Sequence, residues 1–336
     1  MSGARPSPRV AVVLSAYNGA PHIAEQIASI RGQSFMDWNL IVRDDGSSDD
    51  TVAIVKELVA KDSRITLLED SHAHLGPSLS FGALLEHVRA GGTQIVFLAD
   101  QDDVWLSAKL EQQLALLDSA APLRGAGKPV LVHSDLEVVD GTLHVIHESF
   151  NEFQRVSYNT GDPLRTLLIH NAVVGCTIGV NRELLDFALP IPAGSPHDWW
   201  LAVCAAATGD ILRTAKPTVL YRQHATNVIG AVHRHEFVGE LIRHPLSFAA
   251  SSFRAFNVGV EQARCLRDRL RLKGLTDGDA FARVERYCDS FAGEKTLTGR
   301  LRALRESRAR PQRGVSRIIL NALAAVYPAV RSRLAL

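Results

Sequence analysis

The chain has 336 residues, 46% of them hydrophobic and 22% charged, with a formal net charge of +1 at neutral pH. This composition excludes a disordered chain, suffices for one large domain with an appendage, and gives the whole molecule no electrostatic reason to bind nucleic acid. The four cysteines, Cys176, Cys204, Cys265 and Cys288, are scattered with no C-x-x-C pair, which points to reduced thiols rather than a disulfide frame or structural zinc.

Residues 1–9 are polar and Pro-rich with no charged-then-apolar leader pattern, so a cytoplasmic location is expected. Residues 10–16 are apolar and partly β-branched, then yield to Tyr17-Asn18-Gly19, with Pro21 suited to a first helical turn. The helix expected over 21–31 carries Ile23, Ile27 and Ile30 on one face. A second strand at 39–42 runs into Asp44-Asp45-Gly46-Ser47-Ser48-Asp49-Asp50-Thr51. Asp49 and Asp50 are placed to cap a helix over 52–61, whereas Asp44 and Asp45 precede that cap and stand where an α/β sheet binds a base or ribose. A strand at 65–68, a loop at 72–80 and an amphipathic helix at 79–90 follow.

The apolar run 95–99 reads as a buried parallel strand that ends in Asp100, Asp102 and Asp103. Three carboxylates at one strand end repel each other, and a hard divalent cation such as Mg²⁺ or Mn²⁺ would relieve that repulsion. The alternative is a solvated acidic turn ahead of a helix over 108–117, for which Ser107 is a good N-cap. After a Pro/Gly-rich connection at 122–129, a further strand is expected at 130–134. The alternation predicts an α/β fold with a doubly wound, mostly parallel sheet. There is no G-x-G-x-x-G after the first strand and no G-x-x-x-x-G-K-[ST], which argues against a dinucleotide or P-loop site.

Residues 171–179 are small and β-branched, suited either to close approach of backbone to a ligand or to a Gly-containing core strand. In His197-Asp198-Trp199-Trp200 a carboxylate opens an apolar helix at 199–207, flanked by aromatic faces that could pack on sugar C–H bonds. By itself, such an aspartate reads more readily as a helix cap. A strand at 218–221 leads into Tyr221-Arg222-Gln223-His224-Ala225-Thr226-Asn227, while His72, His74, His233 and His235 have no matching acidic partner in sequence and default to the surface.

From about residue 237 the pattern is helical, with Leu241, Phe248, Phe253, Phe256 and Val260 on buried faces. Residues 294–336 hold ten basic side chains against two acidic ones, around an apolar run at 318–330 that is broken by Asn321 and Pro328 and falls short of the ~20 residues that span a bilayer. Such helices suit peripheral contact with an anionic membrane, and a solvated face or a homo-oligomer contact is the alternative. Two domains are expected, 1–232 for catalysis and 233–336 as a helical region.

Ser15-Ala16-Tyr17-Asn18, Asp44-Asp45-Gly46-Ser47-Ser48-Asp49-Asp50-Thr51 and Leu98-Ala99-Asp100-Gln101-Asp102-Asp103-Val104-Trp105 resemble, in order and spacing, the family 2 glycosyltransferases of the GT-A fold, which bind a nucleotide-sugar. The resemblance implies that Ala16, Tyr17, Asn18, Asp44 and Asp45 lie on the donor side, with the Asp44-Asp45 end holding the nucleobase and ribose. It implies that Asp100 and Asp102, with Gln101 between them, grip the diphosphate through Mg²⁺ or Mn²⁺. It also implies a general base at Asp198 and an acceptor side at Gly175, Cys176, Trp199 and Trp200.

Asp-Gln-Asp-Asp-Val-Trp and the Tyr-Arg-Gln-His-x-x-Asn run are similar to the bacterial rhamnosyltransferase branch, which uses dTDP-L-rhamnose. That branch implies Arg222 on phosphate and His224 completing the metal or phosphate shell. The implied activity is inverting, metal-dependent transfer of a sugar, L-rhamnose or a UDP-hexose, to a hydroxyl of a surface glycan or lipid-linked oligosaccharide at the inner face of the cytoplasmic membrane. The alternative of another class is a nucleotide-binding scaffold without turnover.

Overall fold

The computed structural model describes residues 9–70, 74–124, 127–154, 161–223 and 245–309, with 320, 321, 323–325, 327 and 328. Its contacts divide the chain into two units, Met1–Phe153 with Val173–Leu201 and Gly209–Gly230, and Gln154–Ala172 with Ala202–Thr208 and Ala231–Leu336. The boundary expected at 232/233 lies outside the described residues.

In chain order the strands of the first unit are β1 (Val10–Ala16), β2 (Trp38–Asp44), β3 (Ile65–Leu68), β4 (Ile95–Ala99), β5 (Val104–Trp105), β6 (Val130–His133), β7 (Glu137–Val139), β8 (Val145–His147), β9 (Gly179–Asn181), β10 (Asp210–Arg213) and β11 (Val219–Arg222). Seven form one sheet in the order β10-β6-β9-β4-β1-β2-β3, and four form a second in the order β5-β11-β7-β8. In the larger sheet only β9 runs antiparallel to its neighbours, so the expected mostly parallel α/β sheet is observed. Val10, Val12 and Leu14 pack in one cluster with Ile23, Ile27 and Ile30 of the first helix, α1 (Ile23–Arg31). Each isoleucine is fully buried, a contribution of roughly 1.5–3 kcal/mol apiece. Ala11 and Val13, which alternate with the cluster residues, are buried as well, as a strand covered on both faces requires.

Several boundaries differ from expectation. Pro21 stays in the turn before α1; β2 continues through Arg43 to Asp44; α2 spans Thr51–Lys61; and α3 (Pro77–Ala90) begins two residues early, behind Gly76 at φ +77. The next helix, α4 (Lys109–Arg124), buries Leu110, Leu114 and Leu117 on one face and runs beyond the expected end at 117, through Pro122. Residues 171–179 are not one strand. A 3₁₀ turn, Gly175–Thr177, precedes the short β9.

Strand register decides where a site can form. Ala16 pairs with Asp44 and Leu14 with Ala99, so the loops leaving β1, β2 and β4 emerge together at one edge. The chain runs from β1 outward to β2 and β3, then returns to place β4 on the other side of β1. That reversal opens a crevice beyond the carboxyl ends of the strands. The pairing of β5 with β11 brings the loop after β4 against Tyr221 and Arg222.

The second unit is helical, with Pro245–Leu272, Asp279–Asp289 and Leu297–Glu306 as its long elements. Val260, Leu266, Leu270, Val284, Tyr287, Phe291 and Leu304 are buried. Arg283 holds both oxygens of Asp162, the N-cap of helix Pro163–Leu167, at 3.0 Å. Of the apolar run at 318–330, Leu320, Ala324 and Tyr327 are buried, and the Tyr327 ring packs on Phe253, Phe256 and Phe291. Those apolar groups serve the core of this unit. No helix among the described residues is long and apolar enough to cross a membrane.

Candidate active site

The loop after β1 is laced to the loop after β2. The Asn18 N–H donates to Ser47 Oγ at 2.8 Å, Gly19 N–H to Thr51 Oγ1 at 2.8 Å and Ala20 N–H to Asp49 Oδ2 at 3.1 Å. Asn18 Oδ1 accepts from the Ser48 N–H at 2.8 Å, and Asn18 takes φ +48, a conformation asparagine tolerates better than most residues. Asp44 accepts from the Gly46 and Ser47 N–H groups and so shapes the turn. Asp49 accepts from the Thr51 N–H at the start of α2, while Asp50, at the N-cap position, makes no side-chain cap bond.

Asp45 is 2% exposed, and its carboxylate accepts from Arg43 at 2.6 Å, from the Leu75 N–H at 2.8 Å and from the Gly76 N–H at 2.8 Å. Burial alone would raise its pKa. The hydrogen bonds from Leu75, Arg43 and Gly76 outweigh that and hold it below the usual carboxylate range. Asp45 thus binds the end of β2 to the start of α3. His74 sits over it, with Nδ1 3.0 Å from the Asp45 carbonyl oxygen and 3.3 Å from its carboxylate, and its ring lies 4.6 Å from that of Tyr17. His74 is on the surface as expected, but it has an acidic partner that the sequence did not reveal. Tyr17 remains exposed.

Across the crevice, Gln101 pairs its side-chain amide with the Tyr17 backbone, accepting from N–H at 2.8 Å and donating to the carbonyl at 3.0 Å. A Cβ on Gly19 would lie 2.2 Å from Gln101 Oε1, so any larger residue there would push the Gln101 side chain off the Tyr17 backbone. Gln26 Nε2 donates to the Asp100 carbonyl at 2.8 Å. The loop 100–103 is therefore held at both shoulders.

Its carboxylates converge. Burial first, then repulsion from Asp103, Asp102 and Asp198, pushes the Asp100 carboxyl well above its ordinary range. Burial and Asp102 push Asp103 up to about 7, against hydrogen bonds from the Cys176 thiol and the Arg222 N–H. Ligand atoms of Asp100, Asp103 and Cys176 all lie within 4.8 Å of one another, and Asp103 Oδ2 is buried without a hydrogen-bond partner. Burial raises the Cys176 pKa far above the ordinary thiol value, so its sulfur is a neutral donor to Asp103 rather than an anionic ligand. What remains is a set of hard carboxylate oxygens with one unsatisfied, which fits Mg²⁺ or Mn²⁺ better than a soft metal.

Asp198 reaches this cluster from the first turn of the helix His197–Thr208. The turn at Gly175 lies against it. A Cβ there would stand 3.0 Å from His197 Nε2 and 3.5 Å from Asp198 Cβ. His197 stacks on Phe81 with ring centroids 4.2 Å apart, and burial lowers its pKa.

Four of the acceptor and phosphate assignments need correction. Trp200 is fully buried, donating Nε1–H to the Ala188 carbonyl at 2.8 Å, and Trp199 is 7% exposed, so neither offers a free aromatic face. Cys176 is fully buried beneath Asp103. Arg222, 3% exposed, spends its guanidinium on the Asp102 carbonyl at 2.9 Å, the Gly141 carbonyl at 2.6 Å and Glu25, so it braces the acidic loop instead of presenting a fork to phosphate.

Two donor assignments change in the same way. Ala16 is buried with its carbonyl accepting from the Asp45 N–H, and Gln101 is committed to Tyr17, so both position neighbours. Asp100, Asp102, Asp198 and Gly175 are brought together, Tyr17, Asn18, Asp44 and Asp45 line the adjoining loops, and His224 lies outside the described residues. Asp103, grouped with Asp100 and Asp102 in the sequence but given no role of its own there, joins the cluster, and so does Tyr221, named there only within a motif, whose hydroxyl pKa is raised by burial and then by Cys176 and the acidic cluster.

Residues 11–125 match the family model for Glycosyl transferase family 2. The chain is 29% identical over 201 residues, 58% of its length and 69% of the other's, to the UDP-Glc:alpha-D-GlcNAc-diphosphoundecaprenol beta-1,3-glucosyltransferase WfgD of Escherichia coli. It is 25% identical over 228 residues, 65% of its length and 74% of the other's, to the dTDP-rhamnosyl transferase RfbG of Shigella flexneri. Among solved structures it resembles TarS 1-349 of S. aureus in complex with UDP-GlcNAc, with a TM-score of 0.57 at 16% identity over 95% of this chain and 87% of that one. That last likeness is one of fold, a GT-A-like α/β architecture.

Proposed function

We propose, on the premise that this chain belongs to glycosyltransferase family 2 through residues 11–125, that it transfers a sugar from a nucleoside diphosphate to a hydroxyl of a bacterial surface glycan with inversion. The observation that carries the reading is the convergence of Asp198, from a helix start late in the chain, with Asp100 and Asp102 at the end of β4. The acceptor oxygen forms a bond to the anomeric carbon as the bond from that carbon to the diphosphate oxygen breaks. Asp198 takes the acceptor's proton, a role in which a positioned carboxylate contributes about 10²–10⁴-fold. Asp100 and Asp102, with His224 as a further ligand, would hold a divalent cation, whose charge would offset that of the departing diphosphate.

The residues around the crevice then divide the work. Tyr17 and Asn18, with the turn built by Asp44 and Asp45, frame the base and ribose. Gln101, Arg222 and Asp103 fix the acidic loop. Gly175 leaves room for His197 and Asp198 beside the reacting sugar.

Two donors fit this reading. dTDP-L-rhamnose is supported by Asp-Gln-Asp-Asp-Val-Trp and by the likeness to RfbG, and a UDP-hexose by the likeness to WfgD. Thymine and uracil share one hydrogen-bonding edge and differ by a methyl worth about 1 kcal/mol, so a donor panel read by mass is the experiment that separates them. The acceptor in this reading is a glycan on a lipid diphosphate carrier, reached by peripheral contact at the cytoplasmic face of the membrane. Asp198→Asn tests the core of it. Transfer falls 10²–10⁴-fold while titration with the nucleoside diphosphate shows unchanged affinity. Equal loss of donor affinity would make Asp198 a donor or cation contact and remove the base from the scheme.

A further inference from the structure

In the second unit, Arg286, Arg302, Arg305, Glu306 and Arg308 line a groove of about 670 Å³, four guanidinium groups against one carboxylate. Glu306 pairs with Arg302 at 2.9 Å and with Arg286 at 3.6 Å, and Arg308 approaches Asp279 at 3.5 Å. Arg305 has no carboxylate partner among the described residues. The plain account of basic residues here is that they complement the negative end of a helix. It covers Arg286 and Arg305, each in the last turn of its helix. It does not cover Arg302, or Arg308, which lies past the helix end.

Arg308 is the more telling of the two. It takes φ +59, immediately after the C-cap Ser307, at the position where glycine is the common residue because a left-handed backbone penalises a Cβ. Here the chain carries an arginine in that strained conformation, and its side chain lines the groove. Backbone strain of this kind marks places where a side chain's position matters more than local stability.

We propose that this groove binds a phosphate-bearing anion. Guanidinium groups match phosphate oxygens with paired, charge-assisted hydrogen bonds, and several converging on one open groove exceed what Glu306 neutralises. The shared chemistry is a phosphate mono- or diester or a diphosphate, borne either by a soluble molecule or by the headgroups of an anionic bilayer.

Two probes separate these sources: inorganic pyrophosphate followed by calorimetry, and sedimentation with phosphatidylglycerol-containing vesicles beside pure phosphatidylcholine ones. Arg305→Ala weakens binding about fivefold, as loss of one basic contact near a charged surface does. Arg308→Gly weakens it similarly while leaving the thermal midpoint unchanged or raised, because it relieves the positive φ. Arg182→Ala, on the first unit's surface, leaves binding intact. Loss of pyrophosphate binding alone assigns a soluble ligand, and loss of vesicle binding alone assigns headgroups; each supports the site. No saturable binding of either probe, or binding that both variants retain in full, overturns it.

Discussion

Arg222 donates from Nε to the carbonyl oxygen of Asp102, 2.9 Å away, although the two residues are 120 positions apart in the chain. The same residue's N–H donates to Asp103 Oδ1 at 3.3 Å, and its other guanidinium nitrogens hold Gly141 and Glu25. A lysine keeps the charge but cannot reproduce a planar fork that meets three acceptors. Arg222→Lys therefore raises the Mn²⁺ or Mg²⁺ concentration needed for half-maximal transfer about 10–100-fold, the usual effect of losing a group that orients ligands. Cation dependence identical to that of the parent protein would show that the acidic loop holds its shape without this brace.

Gly175→Ala tests the packing behind Asp198. The added methyl meets His197 Nε2 at 3.0 Å, so the His197-Asp198 pair has to give way by a few tenths of an ångström. Overpacking costs about 1–3 kcal/mol in urea unfolding. The turnover number falls on the order of tenfold, because a displaced base loses its alignment with the acceptor. An unchanged turnover number in a folded variant would separate this turn from the chemistry.

His133, 1% exposed on β6, is held neutral with its pKa lowered to about 3, by burial first and then by Arg213. An ordinary histidine titrates near 6.5, so between pH 6.5 and 3 the unfolded chain binds a proton that the folded one does not. Stability is thus fully present above pH 6.5 and declines as pH falls through that window, by several kcal/mol at most. His133→Gln flattens the slope of urea midpoint against pH over this range. A slope equal to the parent's would assign the acid sensitivity to other groups.

Much of the architecture is legible in the sequence, and the failures share a cause. β1, β3 and β4 are readable to the residue because each is an apolar run closed by a polar turn. The acids Asp100, Asp102 and Asp103 stand out for the same reason. Burial by distant partners is what the sequence hides. Nothing near Asp45 says that Leu75 and Gly76 will saturate its carboxylate, and nothing near Arg222 says that Glu25 will pair with it. Trp199 and Trp200 look like sugar platforms because an apolar helix does not state which of its faces the core will cover. Cys176 is hidden in the same way, since its role beneath Asp103 depends on a turn and a strand end 73 residues apart.

The scheme depends on acidic groups acting together on a nucleotide-sugar. The direct measurement is release of nucleoside diphosphate from a panel of nucleotide-sugars, with Mg²⁺ or Mn²⁺ present and again after EDTA. The account predicts release from at least one donor, abolished by EDTA and restored by either cation. Release that EDTA leaves untouched, or a panel with neither binding nor release under any cation, would contradict it.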